Sequence, residues 1–475
     1  MKFTVVSHAC LYVEYKNVRL LIDPWIIGSC YWRSWWNYPE VPEDLKSSIN
    51  PTHIYITHLH WDHYHGPSLR KFEKFNPKIL LPKHFNRRMK GDLIKDFNFL
   101  NIKELDHGKK YKLEDDFQIA SYQFNPMVID STLVIESNGI TLLNSNDCKT
   151  FGLSLRQIIN NHPKIDFAFR SHSSASAVPH CIRGMKVNET DRKPSDFADD
   201  FIAFSKQIKS SYVIPFASSH VYLHEETKKF NKYYSDPSYV KKQFDQKTNS
   251  NQKCEIMVSG SSWSKSHGFD IKKHDFSQLK SDIINYSINN QEKFIKQAEM
   301  EIKQKLNKFA FEKYYLNFLK ASSFPFKLLK FRFAFLINEK KSSTNFLCII
   351  DGIQIRTKII KVSSEDEIYK NNLAFVIKTP IYVFNDCNIK KMHNTFAASK
   401  LLEIIMIEKH SLQKLNRYFS LVDFYENDSL PLKNFLNIRN IIIIFRRWRE
   451  LFDLFYYVIT IKIQKKKIHQ LWHSL

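Results

Sequence analysis

The stretch "IYITHLHWDHYHG", residues 54 to 66, constrains this chain more than any other. Four histidines and an aspartate fall within the ten positions of "THLHWDHYHG". At that density they repel one another when protonated and are costly to bury unpaired, so a divalent cation is the natural partner. The preceding "THIYIT" reads as a short buried strand, and Gly66-Pro67 opens a helix carrying Leu69, Phe72 and Phe75 on one face. Strand, ligand loop and helix follow in the order a metal-binding turn requires. His58 and His60 stand two apart, so on an extended segment they leave the same face and can share one metal. Asp62 and His63 come after the chain turns and can address a second metal, the arrangement of two-metal hydrolases. His65 reads as a bystander.

The first 265 residues alternate short strands with helices, which implies a layered α/β structure. "KFTVVSHACLYVEY" and "VRLLIDPW" read as an opening pair of strands, and "KILLP", "FQIASYQF", "STLVIES", "ITLLNS", "DFAFRS" and "SYVIPFAS" continue the series, with Asn138-Gly139 as a hairpin turn. A helix carrying Phe197, Phe201, Phe204 and Ile208 precedes "SYVIPFAS". From 266 to 320 a helical linker follows a polar Asn/Gln stretch, with Ile295, Ala298, Ile302, Leu306 and Phe309 on one face. From 321 to 475 the pattern is α+β: "NFLCIIDGIQIRTKII" and "LAFVIKTPIYVF" as strands, then a helix over "KKMHNTFAASKLLEIIM". The tail from Arg446 to Leu475 mixes Arg and Lys with Trp448, Phe452, Phe455 and Trp472. That mixture suits a docked terminal helix or peripheral contact with an anionic membrane.

The 475 residues are 43% hydrophobic, enough for two or three domains. The formal charge of +23 comes from 71 Lys and Arg against 48 Asp and Glu. Most of the excess is Lys scattered among Asn and Ile, which argues against a nucleic-acid interface and leaves a small anionic substrate as the favoured partner. Seven cysteines without a CxxC pair exclude a disulfide framework or zinc ribbon and fit a reducing cytoplasm. The N-terminus lacks a signal-peptide pattern, and runs such as "IIIIF" are too short to span a bilayer.

The HxHxDH pattern of His58, His60, Asp62 and His63 resembles the metallo-β-lactamase superfamily. The resemblance implies a four-layer αββα sandwich with one or two metal ions at an edge, normally zinc, sometimes iron or manganese. It also implies three downstream ligands: a histidine, a bridging aspartate and a final histidine. The bridging aspartate falls on Asp147 in "LLNSNDC" and the final histidine on His224 in "IPFASSHVYLHEE", with His220 its competitor. The segment due to carry the remaining histidine, "SYQFNPMVID", has none. Asn125 stands closest to that slot as a weak neutral oxygen ligand, with His172 and His180 as substitutes. Asp62, His63 and Asp147 are then catalytic as well as metal-binding positions.

A closer resemblance, carried by "SHACLYVEY", "LLIDPWIIGSCYWRSWW", "IYITHLHWDH", "LLNSNDC" and "IPFAS", is to the metallo-β-lactamase-like domain of CMP-N-acetylneuraminate hydroxylase and its bacterial relatives. It spans roughly residues 1 to 265 and sets His8 and Arg33 beside the metal ligands or the substrate. Those hydroxylases also carry a Rieske domain, whose cluster needs two Cys-x-His pairs. No cysteine here is followed two residues later by histidine, so hydroxylation would draw on a separate electron-transfer partner. The leading expectation is a hydrolase using a metal-activated water on an anionic substrate, a nucleotide sugar or phosphorylated compound. The alternatives are a metal-dependent oxygenase acting on a nucleotide sugar and a non-catalytic binding protein with a degenerate metal site. The region from 321 onward resembles, at the level of pattern, a sterol-carrier module; a plain packing or dimerisation domain reads the same way.

Overall fold

The computed structural model describes residues 1–85, 87–127, 129–148, 150–173, 180–183, 193–248, 251–323, 328–408, 410–457 and 459–460. The lysine-rich end of the tail, with Trp472, lies outside the described residues. Two large sheets face each other. The first has eight strands in the order Gly268–Asp270, Ser262–Ser264, Lys2–Val5, Leu11–Tyr15, Val18–Ile22, His53–Tyr55, Lys78–Pro82, Ile102–Leu105. The second has seven: Lys253–Cys254, Tyr212–Phe216, Phe167–Ser171, Ile140–Asn146, Ser131–Ser137, Phe117–Gln123, Lys110–Glu114.

The period-two alternation of a strand explains why these segments are apolar on both sides. In Val18–Ile22, Leu20 and Ile22 enter the core between the sheets while Leu21 packs outward with Leu69, Phe72 and Phe97 of two covering helices. In Phe117–Gln123, Phe117 and Ile119 face inward; Ala120 and Tyr122 face outward with Leu155, Phe201 and Phe204. The result is the four-layer αββα sandwich. The opening is three strands, not two, because the chain turns back at Ser7–Cys10, where Val6 N–H donates to the Cys10 carbonyl at 2.8 Å. The first sheet also runs beyond residue 265, since Gly268–Asp270 forms its edge.

A third sheet of six strands follows the order Ile182–Arg183, Glu403–Met406, Phe375–Lys378, Arg332–Glu339, Thr344–Asp351, Arg356–Val362. Its first strand comes from the N-terminal half of the chain, so the two halves are stitched together rather than strung on a linker. Three expected elements differ. After Lys378, Pro380 lacks the N–H needed to extend a strand, and the helix Ile381–Lys390 begins instead. The helix expected over 390–406 stops at Ser399, with Lys400 at φ 55°, and the β-branched pair Ile404-Ile405 continues as a strand. The 291–309 segment breaks between the helices Gln291–Ile302 and Lys308–Ala321; Ile295, Ile302 and Phe309 are exposed while Gln297 and Glu301 are buried. All seven cysteines are buried and unpaired, and no helix among the described residues is long and apolar enough to cross a membrane.

Phe3 lies wholly buried between the sheets, its ring 5.0 Å from Phe167, 5.5 Å from Phe169 and 5.6 Å from Trp263. Phe3→Ala should lower the unfolding free energy of the sandwich by about 3 to 5 kcal/mol in guanidinium denaturation. A loss below about 1 kcal/mol would mean the sheets do not close over this position.

Candidate metal centre

The His-rich loop leaves the end of His53–Tyr55, and Asp147 follows the end of Ile140–Asn146, so both reach one rim of the sandwich from opposite sheets. His58 Nε2 lies 3.9 Å from Asp147 Oδ2, and His63 Nε2 lies 3.6 Å from Asp147 Oδ1. His58, His63 and Asp147 thus form one group able to hold a cation; His8, Asp62 and His63 form a second that shares His63. Within the second, Asp62 Oδ2 is 3.1 Å from His8 Nε2 and 3.2 Å from His63 Nε2. His60, expected to share a metal with His58, stands outside that group and instead hydrogen bonds to it, its Nδ1 2.8 Å from His58 Nε2.

The atoms this arrangement leaves over point to a cation. His63 Nε2, Asp147 Oδ1 and His8 Nδ1 are buried without a hydrogen-bond partner. Nitrogen and carboxylate donors with no thiolate fit zinc, iron or manganese alike. Electrostatics within the group are strong. Burial would raise the Asp62 carboxyl, but His63 and His8 outweigh it and hold Asp62 well below the usual carboxylate range. Burial would depress the His63 imidazole, yet Asp62, Asp147 and Asp23 push it well above its ordinary value. Asp147 is held low against burial by His63 and His58, whereas burial and the neighbouring His58 lower His60.

Several supporting groups were not singled out from the sequence. Asp23, fully buried at φ 48°, accepts from His63 Nδ1 at 2.8 Å, from Thr57 N and Thr57 Oγ1 at 2.8 Å each, and from Asn146 Nδ2. Its signal was the "IDPW" motif that contains it. Tyr31 O–H donates to Asp62 Oδ1 at 2.5 Å. Tyr31, Trp32 and Arg33 are all left-handed, with φ of 51°, 55° and 64°, a costly run for side chains with a Cβ. Asp130 bears on His60 by charge.

The remaining expected residues disperse. His224 does not join the cluster; its Nε2 is 3.1 Å from Tyr382 Oη and 3.8 Å from Glu301. His220 instead stands beside His8, ring centroids 5.3 Å apart, and stacks on Trp35 at 3.6 Å. Burial and then His8 depress both His220 and His172, the latter to about 4. His172 Nε2 meets the Ser235 carbonyl at 3.2 Å. His180 stacks on Tyr233 and approaches Lys400, and Asn125 Oδ1 accepts from Met127 N within its own turn. Arg33 reaches the Lys293 carbonyl at 2.8 Å and Gln297 at 3.1 Å, fastening the strained turn to the helix Gln291–Ile302. His65 caps the helix Gly66–Phe72.

Tyr31, Leu59 and Trp61 beside the cluster also line a cleft of about 1430 Å³ that reaches the C-terminal region. Arg33, Arg70, Arg88, Lys95, Lys390 and Lys391 lie along it, against Asp92, Asp96, Glu426 and Asp428.

The family model of the beta-lactamase superfamily domain matches residues 2–147. Cytidine monophosphate-N-acetylneuraminic acid hydroxylase of Gorilla gorilla gorilla is 29% identical over 158 residues, 31% of this chain and 25% of that protein. The enzyme of the same name from Danio rerio is 30% identical over 150 residues, 30% of this chain and 25% of its own length. The matched stretch therefore spans about a quarter of these relatives. Among solved structures, the diiron beta-hydroxylase CmlA of Streptomyces venezuelae aligns at 14% identity and a TM-score of 0.40, covering 54% of this chain and 53% of its own. An isothiocyanate hydrolase from Delia radicum gut bacteria aligns at 14% identity and a TM-score of 0.38, covering 56% of this chain and 99% of its own.

Asp23→Asn keeps the shape but weakens the carboxylate that orients His63. Its metal affinity should fall about 10- to 100-fold in chelator competition. Unchanged affinity would remove Asp23 from the support of the site.

Proposed function

Residues 2–147 carry a beta-lactamase superfamily domain, and from that premise we propose that the chain is a metal-dependent hydrolase acting on a small anionic substrate. The observation that carries the reading is Asp147, set between His58 and His63 at 3.9 and 3.6 Å, with its Oδ1 and His63 Nε2 buried and without a hydrogen-bond partner. When bound, a divalent metal supplies Lewis acidity and makes water nucleophilic at neutral pH. The protein's own share is orientation. Asp23 fixes the ring of His63, while Tyr31 and His8 fix the two oxygens of Asp62. The basic residues of the adjoining cleft favour a negatively charged substrate, and Trp32 and Trp61, centroids 4.7 Å apart, offer an aromatic surface for a base or sugar ring. A nucleotide sugar or a phosphorylated sugar meets both demands.

A second reading, oxygenation of a nucleotide sugar with electrons from a separate partner, is favoured by one observation: the curated relatives similar to this chain are named hydroxylases. Metal identity separates the two readings, since zinc suits hydrolysis and iron suits oxygen chemistry.

Elemental analysis of purified protein should find about one or two equivalents of metal per chain, lost in His63→Ala and Asp147→Ala. Zinc with turnover of phosphodiester or ester substrates supports the hydrolase. Iron with oxygen-dependent turnover replaces it with the oxygenase. A wild type that takes up no metal on reconstitution overturns both and leaves a binding protein on this fold.

A further inference from the structure

The helical segment Ile438–Tyr457, kinked at Arg447 (φ −126°, ψ 23°), has two unlike faces. Asn440, Ile443, Arg447 and Glu450 are buried against the sandwich. Arg447 donates to Gln123 Oε1 at 2.9 Å, to the Gln123 carbonyl at 3.1 Å and to Glu450 at 3.2 Å, while Glu450 also lies 3.5 Å from His107. Arg439 holds the start of the helix through Glu104 and the His84 carbonyl, and Asp453 holds the other end by accepting from Leu153 N. These contacts fix which way the helix faces.

The opposite side is bare. Ile441, Phe445, Trp448, Phe452, Phe455 and Ile459 recur at helical spacing and are all exposed, Phe445 at 81% and Phe455 at 64%. Burying such side chains is strongly favourable, so leaving this many in water is unusual. Charge is sorted as well. Glu450 and Asp453, the acidic residues of this helix, turn toward the protein, whereas Arg446 and Arg449 turn outward, Arg449 lying 5.6 Å from the Trp448 ring. The sequence that follows adds Lys462 and the run Lys465, Lys466 and Lys467.

We propose that this face is an interfacial helix that lays the protein on an anionic membrane surface, its aromatic and isoleucine side chains among the acyl chains and its arginines at the headgroups. Aromatic residues flanked by cations, on a helix that cannot span, are the composition such a position requires. A second copy of the chain fits less well. Its outward arginines would meet their like, because the acidic residues of this helix are turned away from the face.

Sedimentation of the full chain with vesicles tests the assignment. The wild type should bind an equal mixture of phosphatidylcholine and phosphatidylserine and release in high salt, with far weaker binding to phosphatidylcholine alone. Trp448→Ser with Phe452→Ser should weaken binding about tenfold or more. Arg446→Gln with Arg449→Gln should cost about fivefold per arginine on the mixed vesicles. All four positions are exposed, so unchanged thermal unfolding checks that the fold survives. A wild type that stays in solution overturns the proposal, as do variants that bind like the wild type. A concentration-dependent dimer abolished by the aromatic pair would also overturn it, making the face a self-interface.

Discussion

One buried carboxylate ties the metal centre to the fold. Asp23 sits at the end of Val18–Ile22, and its two oxygens accept from Thr57, His63 and Asn146. Thr57 and His63 belong to the His-rich loop and Asn146 to the strand that leads to Asp147, so with the segment of Asp23 itself three segments from both sheets converge on a single group. A buried carboxylate is tolerated only when its lone pairs are matched, and here each is matched by a segment that carries ligands. Geometry at the rim therefore follows from sheet register: slip any of the three segments and Asp23 becomes an unpaired charge.

The second dependence runs through the turn at Tyr31, Trp32 and Arg33. Three consecutive left-handed residues cost roughly 1 to 2 kcal/mol apiece. The compensation comes largely from the C-terminal half of the chain: Trp32 Nε1 donates to Asp386 at 2.9 Å, Arg33 to the Lys293 carbonyl, and Trp35 Nε1 to the Ala398 carbonyl at 2.9 Å. Trp25, Tyr31 and Trp35 share one apolar core with Phe333, Phe335 and Tyr418. The C-terminal sheet thus supports the turn that brings Tyr31 to Asp62. The helices Ile381–Lys390 and His393–Ser399 close one side of the basic cleft through Lys390, Lys391 and Asn394.

How much of this was legible in the sequence depends on how local the information is. The strands of the sandwich were readable because alternating apolar runs and Asn138-Gly139 are local signals, and the HxHxDH spacing singled out His58, Asp62 and His63, which the fold gathers into two His/Asp groups. His224 was not placed correctly beside the ligands by motif position, because two histidines four residues apart in "SHVYLHEE" differ only in which one the strand His220–Tyr222 directs toward His8. Asp23 and Tyr31 were hidden for a different reason: each acts by a contact across the chain, 40 residues for Asp23 to His63 and 31 for Tyr31 to Asp62. The C-terminal helices were misread where apolar runs such as "PIYVF" fit a strand or a buried helix equally well, and Pro380 decided between them.

The protonation pattern of the centre carries the last step. Asp23, Asp62 and Asp147 crowd around His63, and their combined charge pushes its imidazole well above its ordinary value against the opposing effect of burial. Asp23 faces Nδ1 of the ring at 2.8 Å, while Asp62 and Asp147 face Nε2 at 3.2 and 3.6 Å. His63 Nε2 would be the nitrogen that holds a divalent cation, with Nδ1 kept on Asp23, a bond that would fix the ring and raise its basicity as a ligand. The same carboxylates that raise the imidazole thus also orient it toward the group that would hold a cation. The orienting bond is on the nitrogen that faces away from Asp62 and Asp147, so it is independent of what Nε2 binds.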